Sequence, residues 1–495
     1  MNKKAHYLFF ITLIFALCYS FFTLAGHPYV NAKKFLAQKK YQKAENEFKL
    51  AKKREPVLND YIDYYLAYIS FYQHKYQKAK KEFTTFLYNY KNSVLTDKAD
   101  YYRLLSHYKV AGKTKMTTQD LMDLAVASWK NRQYDFAGHI WQWLLQTKPN
   151  TPEKEDIIRW LARYDYRKGR YKKGKKRLNY LVNLKGKQAT SALYVLGKYD
   201  ELLQEYPEST LADDILFKRG LKAYFKKQYK KAESNFQKIV SNHPDANYRP
   251  DALYWLAKLK EKLGSQKEAE KYLGQIYDNH PYDYWGYKAA QKLKLKPAIL
   301  PIYPVPIKYT RLMQIESFED AGLEIHGRFK KDKKNTFFIL PFWDKISWHS
   351  KQNNVDPYLV SAIIREESRF NTKAVSSSGA IGLMQIMPKT GKHIAQKYKI
   401  KNYSQKRLFD PYFNIQLGIK YVSEVKKKYF PDSIINILAS YNAGPTAMFK
   451  WNKKYGHIKD EDEFIEKIPY KETRRYVKKV LRSYWIYKNS ATKFQ

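Results

Sequence analysis

The chain has 495 residues, of which 44% are hydrophobic and 17% aromatic. That length predicts more than one domain, and the aromatic content excludes a largely disordered chain. Lysine and arginine number 92 against 47 aspartates and glutamates, a formal net charge of +45. Such a surplus favours an anionic partner, and nucleic acid, anionic lipid and an acidic wall polymer all satisfy that condition.

The first residues predict export. Lys3 and Lys4 precede an uncharged apolar run at residues 7–24, followed by a small residue where a signal peptidase could cut. We interpret residues 1–25 as a signal peptide or, if it is not cleaved, a signal anchor. This predicts a protein of the periplasm, possible attachment to the inner membrane through residues 7–24, and no nucleic-acid partner.

A helical repeat pattern occupies residues 26–296. An aromatic residue is followed three positions later by a small residue, and four after that by a large apolar one, which puts all three on one helical face. The copies begin at Tyr41, Tyr76, Tyr134, Tyr171 and Tyr229, with a weaker copy at Gln266. Intervals of 35 and 37 residues match tetratricopeptide-like helical pairs, whereas intervals of 58 predict an irregular helix in between. We predict an α-solenoid whose aromatic side chains mostly form its core, the alternative being that some stack on sugars.

The segment that follows the repeats predicts a boundary. Four prolines within residues 297–306 exclude a regular helix there. We interpret residues 297–340 as a Pro-rich boundary and linker region that contains one helix, about Arg311 to Gly327. The last domain is predicted to span residues 341–495 and to fold independently.

One helix of this last domain carries a pair of carboxylates. Asp356 and Pro357 predict its start, with the aspartate as N-cap. Over residues 358–370 one face is broad and apolar, and Glu366 and Glu367 flank its centre about equally. At least one carboxyl group must therefore face apolar surroundings, where desolvation raises its pKa as a general acid requires. Helical geometry does not choose between the two.

Four blocks follow one another in this region. They are Ala362-Ile-Ile-Arg-Glu-Glu-Ser-Arg-Phe370, Gly382-Leu-Met-Gln-Ile-Met-Pro388, Tyr441-Asn-Ala-Gly-Pro445 and Ile468-Pro-Tyr-Lys-Glu-Thr-Arg474. In this order they resemble the signatures of the soluble lytic murein transglycosylases, over about the last third of the chain. The resemblance implies an all-α protein in which a tetratricopeptide-like α-solenoid precedes a lysozyme-like helical catalytic domain.

The resemblance also implies roles for single residues. The family's catalytic glutamate directly precedes a serine, which here is Glu367, and Glu366 is then structural. Met384 and Ile386 are expected to face the core, and the Tyr441 hydroxyl is expected to approach Glu367. The substrate-binding positions implied are Ser376, Gln385, Met387, Tyr441 and Glu472.

The implied reaction is a non-hydrolytic cleavage of peptidoglycan glycan strands. Glu367 would protonate the β-1,4 bond between N-acetylmuramic acid and N-acetylglucosamine, then take the proton of the C6 hydroxyl as a 1,6-anhydro ring closes. No metal and no organic cofactor is implied. Two alternatives remain at this point: a goose-type lysozyme, which transfers the sugar to water, and a non-catalytic envelope scaffold. Two-carboxylate lysozymes use a second acid, and no aspartate follows at a position that resembles it.

Overall fold

The computed structural model describes residues 26–242, 246–332, 335–431 and 433–491. Over these ranges the regular structure is helical, with isolated β-bridges alone, which confirms the predicted all-α class. The predicted leader at residues 1–25 lies outside the described residues. Of the helices described, none is both long enough and apolar enough to cross a bilayer.

The helices before the proline-rich segment form the solenoid. They are α1 (Pro28–Ala37), α2 (Tyr41–Arg54), α3 (Asn59–Tyr72), α4 (Tyr76–Asn89), α5 (Thr96–Ala111), α6 (Thr118–Lys130), α7 (Tyr134–Thr147), α8 (Lys154–Arg167), α9 (Tyr171–Leu184), α10 (Ala189–Leu196), α11 (Tyr199–Glu205), α12 (Ala212–Phe225), α13 (Tyr229–Asn242), α14 (Arg249–Lys262), α15 (Gln266–Asn279) and α16 (Tyr284–Lys292). Every predicted copy of the repeat starts the second helix of a pair.

The turn before each of these second helices has one geometry. The residue two positions before the helix start has a positive φ, from Lys39 before α2 to Gly264 before α15. The small residue of the pattern permits close helix packing, since a Cβ at Gly174 would collide with the ring of Tyr166 on α8. The large apolar residue fills the space beside it, and Phe48 and Phe236 are fully buried. These contacts explain why the pattern needs all three positions.

The two 58-residue intervals contain different insertions. In the first, the extra helix α5 precedes α6, as the spacing predicted. In the second, the short helices α10 and α11 precede α12. Helix α11 starts at Tyr199 after the left-handed Gly197, so it is an abbreviated repeat. The pattern misses it because Leu202 stands at the small-residue position.

The segment interpreted as a linker holds a further helical hairpin, so the prediction of one helix over residues 311–327 is wrong. Helices α17 (Ile307–Gln314) and α18 (Phe318–Lys331) meet at Glu316, which has φ 55°. Phe318 begins α18, and Ala321 and Ile325 follow at the repeat spacing of three and four. The segment is therefore another copy of the solenoid unit.

This hairpin packs against the first repeats and closes the solenoid on itself. We call the contact between this hairpin and the first repeats the seam, and Asp320 is fully buried in it. Its carboxylate accepts hydrogen bonds from the hydroxyls of Tyr29 at 2.9 Å, Ser317 at 2.9 Å and Tyr65. Lys33 completes the cluster with its ammonium 3.2 Å from Asp320. Because each oxygen has donors, the buried charge stabilises the contact instead of opposing it.

Helices α19 to α26 form the C-terminal domain. They are α19 (Trp343–Asn353), α20 (Pro357–Ser368), α21 (Pro388–Lys397), α22 (Pro411–Tyr429), α23 (Ile434–Ala443), α24 (Pro445–Tyr455), α25 (Glu461–Lys467) and α26 (Lys471–Ala491). Helix α25 packs on the solenoid, where Asp462 accepts hydrogen bonds from Tyr254 at 2.6 Å and Tyr284 at 2.8 Å. Helix α20 packs against α26 and also contacts residues before Pro341, since Arg365 donates a hydrogen bond to Asn335 at 2.7 Å. The start of the domain near Pro341 therefore stays a prediction.

Candidate active site

Helix α20 brings the two glutamates to the edge of the core. The Asp356 carboxylate accepts a hydrogen bond from the Tyr358 amide at 2.9 Å, and Pro357 is the first helical residue, as predicted. The helix ends at Ser368, two residues earlier than expected, because Arg369 and Phe370 have positive φ. Glu366 and Glu367 therefore lie in the last turn of the helix, beside the core.

The carboxylate of Glu366 is engaged by α20 and α26. It accepts hydrogen bonds from Arg365 at 2.6 Å and from the Ser483 hydroxyl at 2.6 Å. The Arg365 guanidinium is itself buried, 3.9 Å from the ring centre of Phe338, and donates to Asn335 at 2.7 Å. A buried arginine needs such an anion, so Glu366 has a structural function here.

Glu367 lies one residue further in a different environment. Burial raises the pKa of its carboxyl from 4.5 to about 7. The neighbouring Tyr476 hydroxyl opposes part of this rise, and the charges of Glu366 and Glu472 add to it. Among the described residues, no cation forms an ion pair with Glu367. The group is thus protonated in a large fraction of molecules near neutral pH and can donate a proton.

Two tyrosines flank this carboxyl. Tyr476 is buried and its hydroxyl faces Glu367, yet no described group makes a well-aligned hydrogen bond to that hydroxyl. Burial, and then the charge of Glu367, hold the pKa of Tyr476 well above its usual range. The Tyr441 hydroxyl donates to the Met384 carbonyl at 2.6 Å, and its pKa rises for the same two causes. Both phenols remain neutral hydrogen-bonding groups beside Glu367.

Sequence reasoning did not single out Tyr476. Its signal is the spacing from Glu472, four residues earlier on α26, which places both side chains on one helical face. Glu472 is exposed in the first turn of α26 and has no ion pair or hydrogen bond within the described part of the chain. It is close enough to Glu367 to raise the pKa of that carboxyl. Glu472 is therefore free to contact a ligand.

The loop before α21 forms the wall next to Tyr441. The Ser376 hydroxyl accepts a hydrogen bond from the Ala380 amide at 2.9 Å. The Gln385 side-chain amide donates to the Gly382 carbonyl at 2.8 Å, and Gln385 itself has φ 47°. Met387 is 40% exposed at the N-terminus of α21. Ser376 and Gln385 thus shape the loop, while Met387 offers an uncovered apolar surface.

Buried residues hold this loop in place. Met384 and Ile386 face the core, as predicted. Asn414, which sequence reasoning missed, is fully buried on α22 and donates to the Ile381 carbonyl at 2.9 Å. Its carbonyl oxygen accepts from the Met384 amide at 2.8 Å. A side chain at Gly382, where φ is 80°, would collide with Asn414. The glycine and the asparagine together set the loop conformation.

The structure therefore brings Glu367, Tyr441, Tyr476 and Glu472 to one place, with the loop attached through the bond between Tyr441 and Met384. Ser376 and Met387 lie at the two ends of the same loop. Over the described ranges, no three His, Cys, Asp or Glu side chains form a cluster suited to a metal ion. The arrangement offers one proton donor, two phenols and an exposed carboxylate close together, and we call it the Glu367 site.

Comparison with family models separates the chain into the same two parts. Residues 345–464 match the model described as transglycosylase SLT domain. Residues 214–246 and 251–281 match the model of the tetratricopeptide repeat. The predicted repeat type and the predicted resemblance to soluble lytic murein transglycosylases are both confirmed.

Curated relatives match the C-terminal part. The soluble lytic murein transglycosylase of Escherichia coli K12 is 38% identical over 146 residues, which cover 29% of this chain and 22% of that protein. A putative soluble lytic murein transglycosylase of Haemophilus influenzae is 39% identical over 128 residues, covering 26% and 21%. The match thus spans about a fifth of the length of these relatives.

A solved structure matches most of the chain. The 70 kDa soluble lytic transglycosylase of Escherichia coli superimposes with a TM-score of 0.54 over 93% of this chain and 96% of that chain, at 18% identity. At that identity the similarity concerns the fold. It confirms the predicted all-α architecture of an α-solenoid followed by a lysozyme-like helical domain.

Proposed function

We propose that this protein is a peptidoglycan lytic transglycosylase. It cleaves the β-1,4 bond between N-acetylmuramic acid and N-acetylglucosamine and leaves 1,6-anhydro-N-acetylmuramic acid ends. The observation that carries the proposal is the environment of Glu367, whose burial raises the carboxyl pKa to about 7 within an SLT domain. The wall glycan is its substrate, and remodelling or turnover of the wall is its role.

In the proposed mechanism Glu367 acts twice. As an acid it protonates the glycosidic oxygen while the substrate's own N-acetyl group stabilises the positive charge at C1. As a carboxylate it then accepts the proton of the C6 hydroxyl, which attacks C1 and closes the anhydro ring. Both steps need a pKa near the working pH, and the desolvated site supplies it. The Tyr476 hydroxyl, which faces Glu367, can donate a hydrogen bond to the carboxylate formed between the two steps.

The exposed surfaces and unpaired polar groups of the site determine which substrate contacts we propose. Met387 and the ring of Tyr441 offer apolar surface to sugar faces, and Glu472 can accept hydrogen bonds from hydroxyl or amide groups. Ser376 and Gln385 shape the wall that the glycan touches. We assign these five residues to substrate binding, with Tyr476 beside them as a hydrogen-bonding partner of Glu367.

One observation favours a second candidate, hydrolysis of the same bond as in a goose-type lysozyme. Glu472 is an unpaired carboxylate that lies near enough to influence Glu367. An inverting hydrolase needs a second carboxylate to activate water. In that case Glu472→Gln would abolish cleavage, whereas in the anhydro mechanism it would chiefly raise KM.

Mass spectrometry of products from purified wall tests the proposal. Anhydro-muropeptides lack one water relative to reducing muropeptides, so the two reactions give different masses. We expect anhydro products from the full chain, and anhydro products at a reduced yield from Glu472→Gln. Reducing ends from the full chain would establish hydrolysis instead, and the absence of any cleavage would leave the scaffold alternative.

We further propose that the protein acts in the periplasm. Support comes from the basic and apolar pattern before residue 25 and from the wall substrate of the proposed reaction. Immunoblotting of periplasmic and membrane fractions would locate the protein. A soluble periplasmic form that has lost residues 1–25 is expected for a cleaved signal, and a full-length form in the inner membrane for an anchor.

A further inference from the structure

A cavity of about 490 Å³ lies in the solenoid, and none of its lining residues belongs to the Glu367 site. Helices α1, α3 and α5 form most of its wall, and Glu319 of α18 completes it. Its volume falls within the range of about 300–1,000 Å³ usual for small-ligand sites. Half of its lining side chains are tyrosines, namely Tyr41, Tyr64, Tyr65, Tyr68, Tyr72, Tyr101 and Tyr102.

Three of these tyrosines run along one face of α3. Tyr64, Tyr68 and Tyr72 are spaced by four residues, and their exposure increases from 4% at Tyr64 to 40% at Tyr72. The ring centre of Tyr68 lies 4.5 Å from that of Tyr72 and 5.1 Å from that of Tyr102. Core packing explains Tyr64. Tyr72, by contrast, packs on Tyr68 and Phe71 on one side and leaves 40% of its surface exposed to solvent.

A lysine without a partner lies in the same cavity. Lys98 is half-buried on α5, and within the described part of the chain its ammonium has no hydrogen bond or ion pair. Burial lowers its pKa, against a partial opposing effect of Glu319 and Asp320. Lys33, on the opposite wall, is by contrast paired with Asp320 at 3.2 Å. A desolvated ammonium is stabilised by an anionic group, which a ligand could supply.

We propose that this cavity is a second glycan-binding site, which takes an acidic, N-acetylated saccharide. Sugar faces would stack on the rings of Tyr72 and Tyr68, phenol hydroxyls would bond to sugar hydroxyl and acetamido groups, and Lys98 would pair with a sugar carboxylate. The proposal rests on the proposed function for the identity of the ligand. Solenoid repeats commonly provide extended binding surfaces, and a second site would hold a strand while the Glu367 site cleaves it.

Calorimetry on the full chain tests the proposal. In a Glu367→Gln background, which prevents cleavage, titration with peptide-free wall glycan should show two binding sites. Tyr72→Ala and Lys98→Gln should each weaken one site about tenfold and leave the other unchanged. With neutral N-acetylglucosamine oligomers, Tyr72→Ala should have the same effect and Lys98→Gln almost none. Tyr88→Ala is the matched control, since Tyr88 is 75% exposed outside this cavity.

Parallel assays separate this proposal from the proposed function. With Glu367 intact, Tyr72→Ala and Lys98→Gln should cleave short soluble strands at the rate of the unaltered protein. A single binding site, or variants that bind like Tyr88→Ala, would overturn the second site while leaving the cleavage assay valid. A loss of short-strand cleavage together with binding would also overturn it, because Tyr72 would then act through the fold. Absence of cleavage by the unaltered chain would refute the proposed function and leave the two-site result intact.

Discussion

The Glu367 site and the seam that closes the solenoid each hold a carboxyl group in a helical core. At the seam, Asp320 is fully buried and surrounded by three hydroxyl donors and the Lys33 ammonium. At the Glu367 site, the carboxyl is buried, with two phenols and two other carboxylates nearby. Burial is common to both sites, so the neighbours decide the outcome. Donors make the first group a structural anion, and their scarcity makes the second a proton donor.

The same contrast occurs between adjacent residues of α20. Glu366 accepts hydrogen bonds from Arg365 and Ser483, whereas Glu367 faces Tyr476. Helical geometry placed both beside the apolar face, and their hydrogen-bond partners distinguish them: Glu366 is bonded by Arg365 of the same helix and Ser483 of α26. Substitution of Glu367 should therefore reduce mainly activity, and substitution of Glu366 should reduce mainly stability.

The largest effect is expected for Glu367→Gln. The amide is nearly isosteric but cannot give up a proton, so turnover should fall by about 100-fold to 10,000-fold, or further if the residue acts in both steps. Glu366→Gln is the matched control and should reduce stability far more than activity, because it weakens the partner of buried Arg365. Turbidity clearing of purified wall measures the activity. An inactive Glu366 variant beside an active Glu367 variant would reverse the assignment.

At the seam, Asp320→Ala should cost about 3–5 kcal/mol of unfolding free energy, because it leaves Lys33 and several hydroxyls without their acceptor. Glu319→Gln is the control, since its carboxylate is 67% exposed and lies 3.7 Å from Lys33. It should cost at most about 1 kcal/mol. Urea unfolding measures both. Equal losses for the two variants would show that the buried seam has no special part in stability.

The raised pKa of Glu367 predicts a pH-dependent stability difference. The folded protein binds this proton more tightly than the unfolded chain, so the resulting stability is complete below pH 4.5 and lost as the pH rises through about 7. Glu367→Gln should thus be more stable than the unaltered protein at pH 8, by up to about 3 kcal/mol, and nearly equal to it at low pH. Urea unfolding at pH 4.5 and pH 8 measures this. A difference that does not change with pH would contradict it.

The smallest expected effect is that of salt on the binding of the basic protein to the wall. Stem peptides carry carboxylates, and the formal charge of +45 should hold the protein on the wall. Such attraction is screened over about 10 Å at 0.1 M salt. Sedimentation of the Glu367→Gln chain with insoluble peptidoglycan should weaken as salt rises. Retention that does not depend on salt would show that uncharged contacts, at the Glu367 site and in the cavity lined by tyrosines, hold the protein on the wall.

The sequence predicted those features that depend on local spacing. The aromatic, small and apolar positions located most second helices, and Asp356 located the start of α20. The hairpin of α17 and α18 was missed although Phe318, Ala321 and Ile325 have the repeat spacing, because the four prolines before it were interpreted as the end of the solenoid. Asp320, four residues after Glu316, looks like a surface charge in the sequence, because Tyr29, whose hydroxyl donates to its carboxylate, lies 291 residues earlier.

The site shows the same division. A resemblance of blocks identified Glu367. Asn414 has no local signal, because its hydrogen-bond partners lie in the loop before α21, and the spacing of Tyr476 from Glu472 gains its meaning only from Glu367 on another helix. The Tyr441 hydroxyl lies near enough to Glu367 for that charge to raise its pKa, and it donates its hydrogen bond to the Met384 carbonyl, a partner that the sequence did not predict. Long-range hydrogen bonds of this kind determine which polar groups remain free for a ligand.

The most direct test of the central claim is the titration of Glu367 itself. In protein labelled with ¹³C at glutamate carboxyl carbons, NMR spectra from pH 4 to pH 9 would follow each group, and the signal absent in Glu367→Gln assigns this one. The account predicts a midpoint at about 7, caused chiefly by burial. A midpoint below 5 would show that Glu367 is an ordinary ionised carboxylate, and would contradict its role as the acid of the reaction.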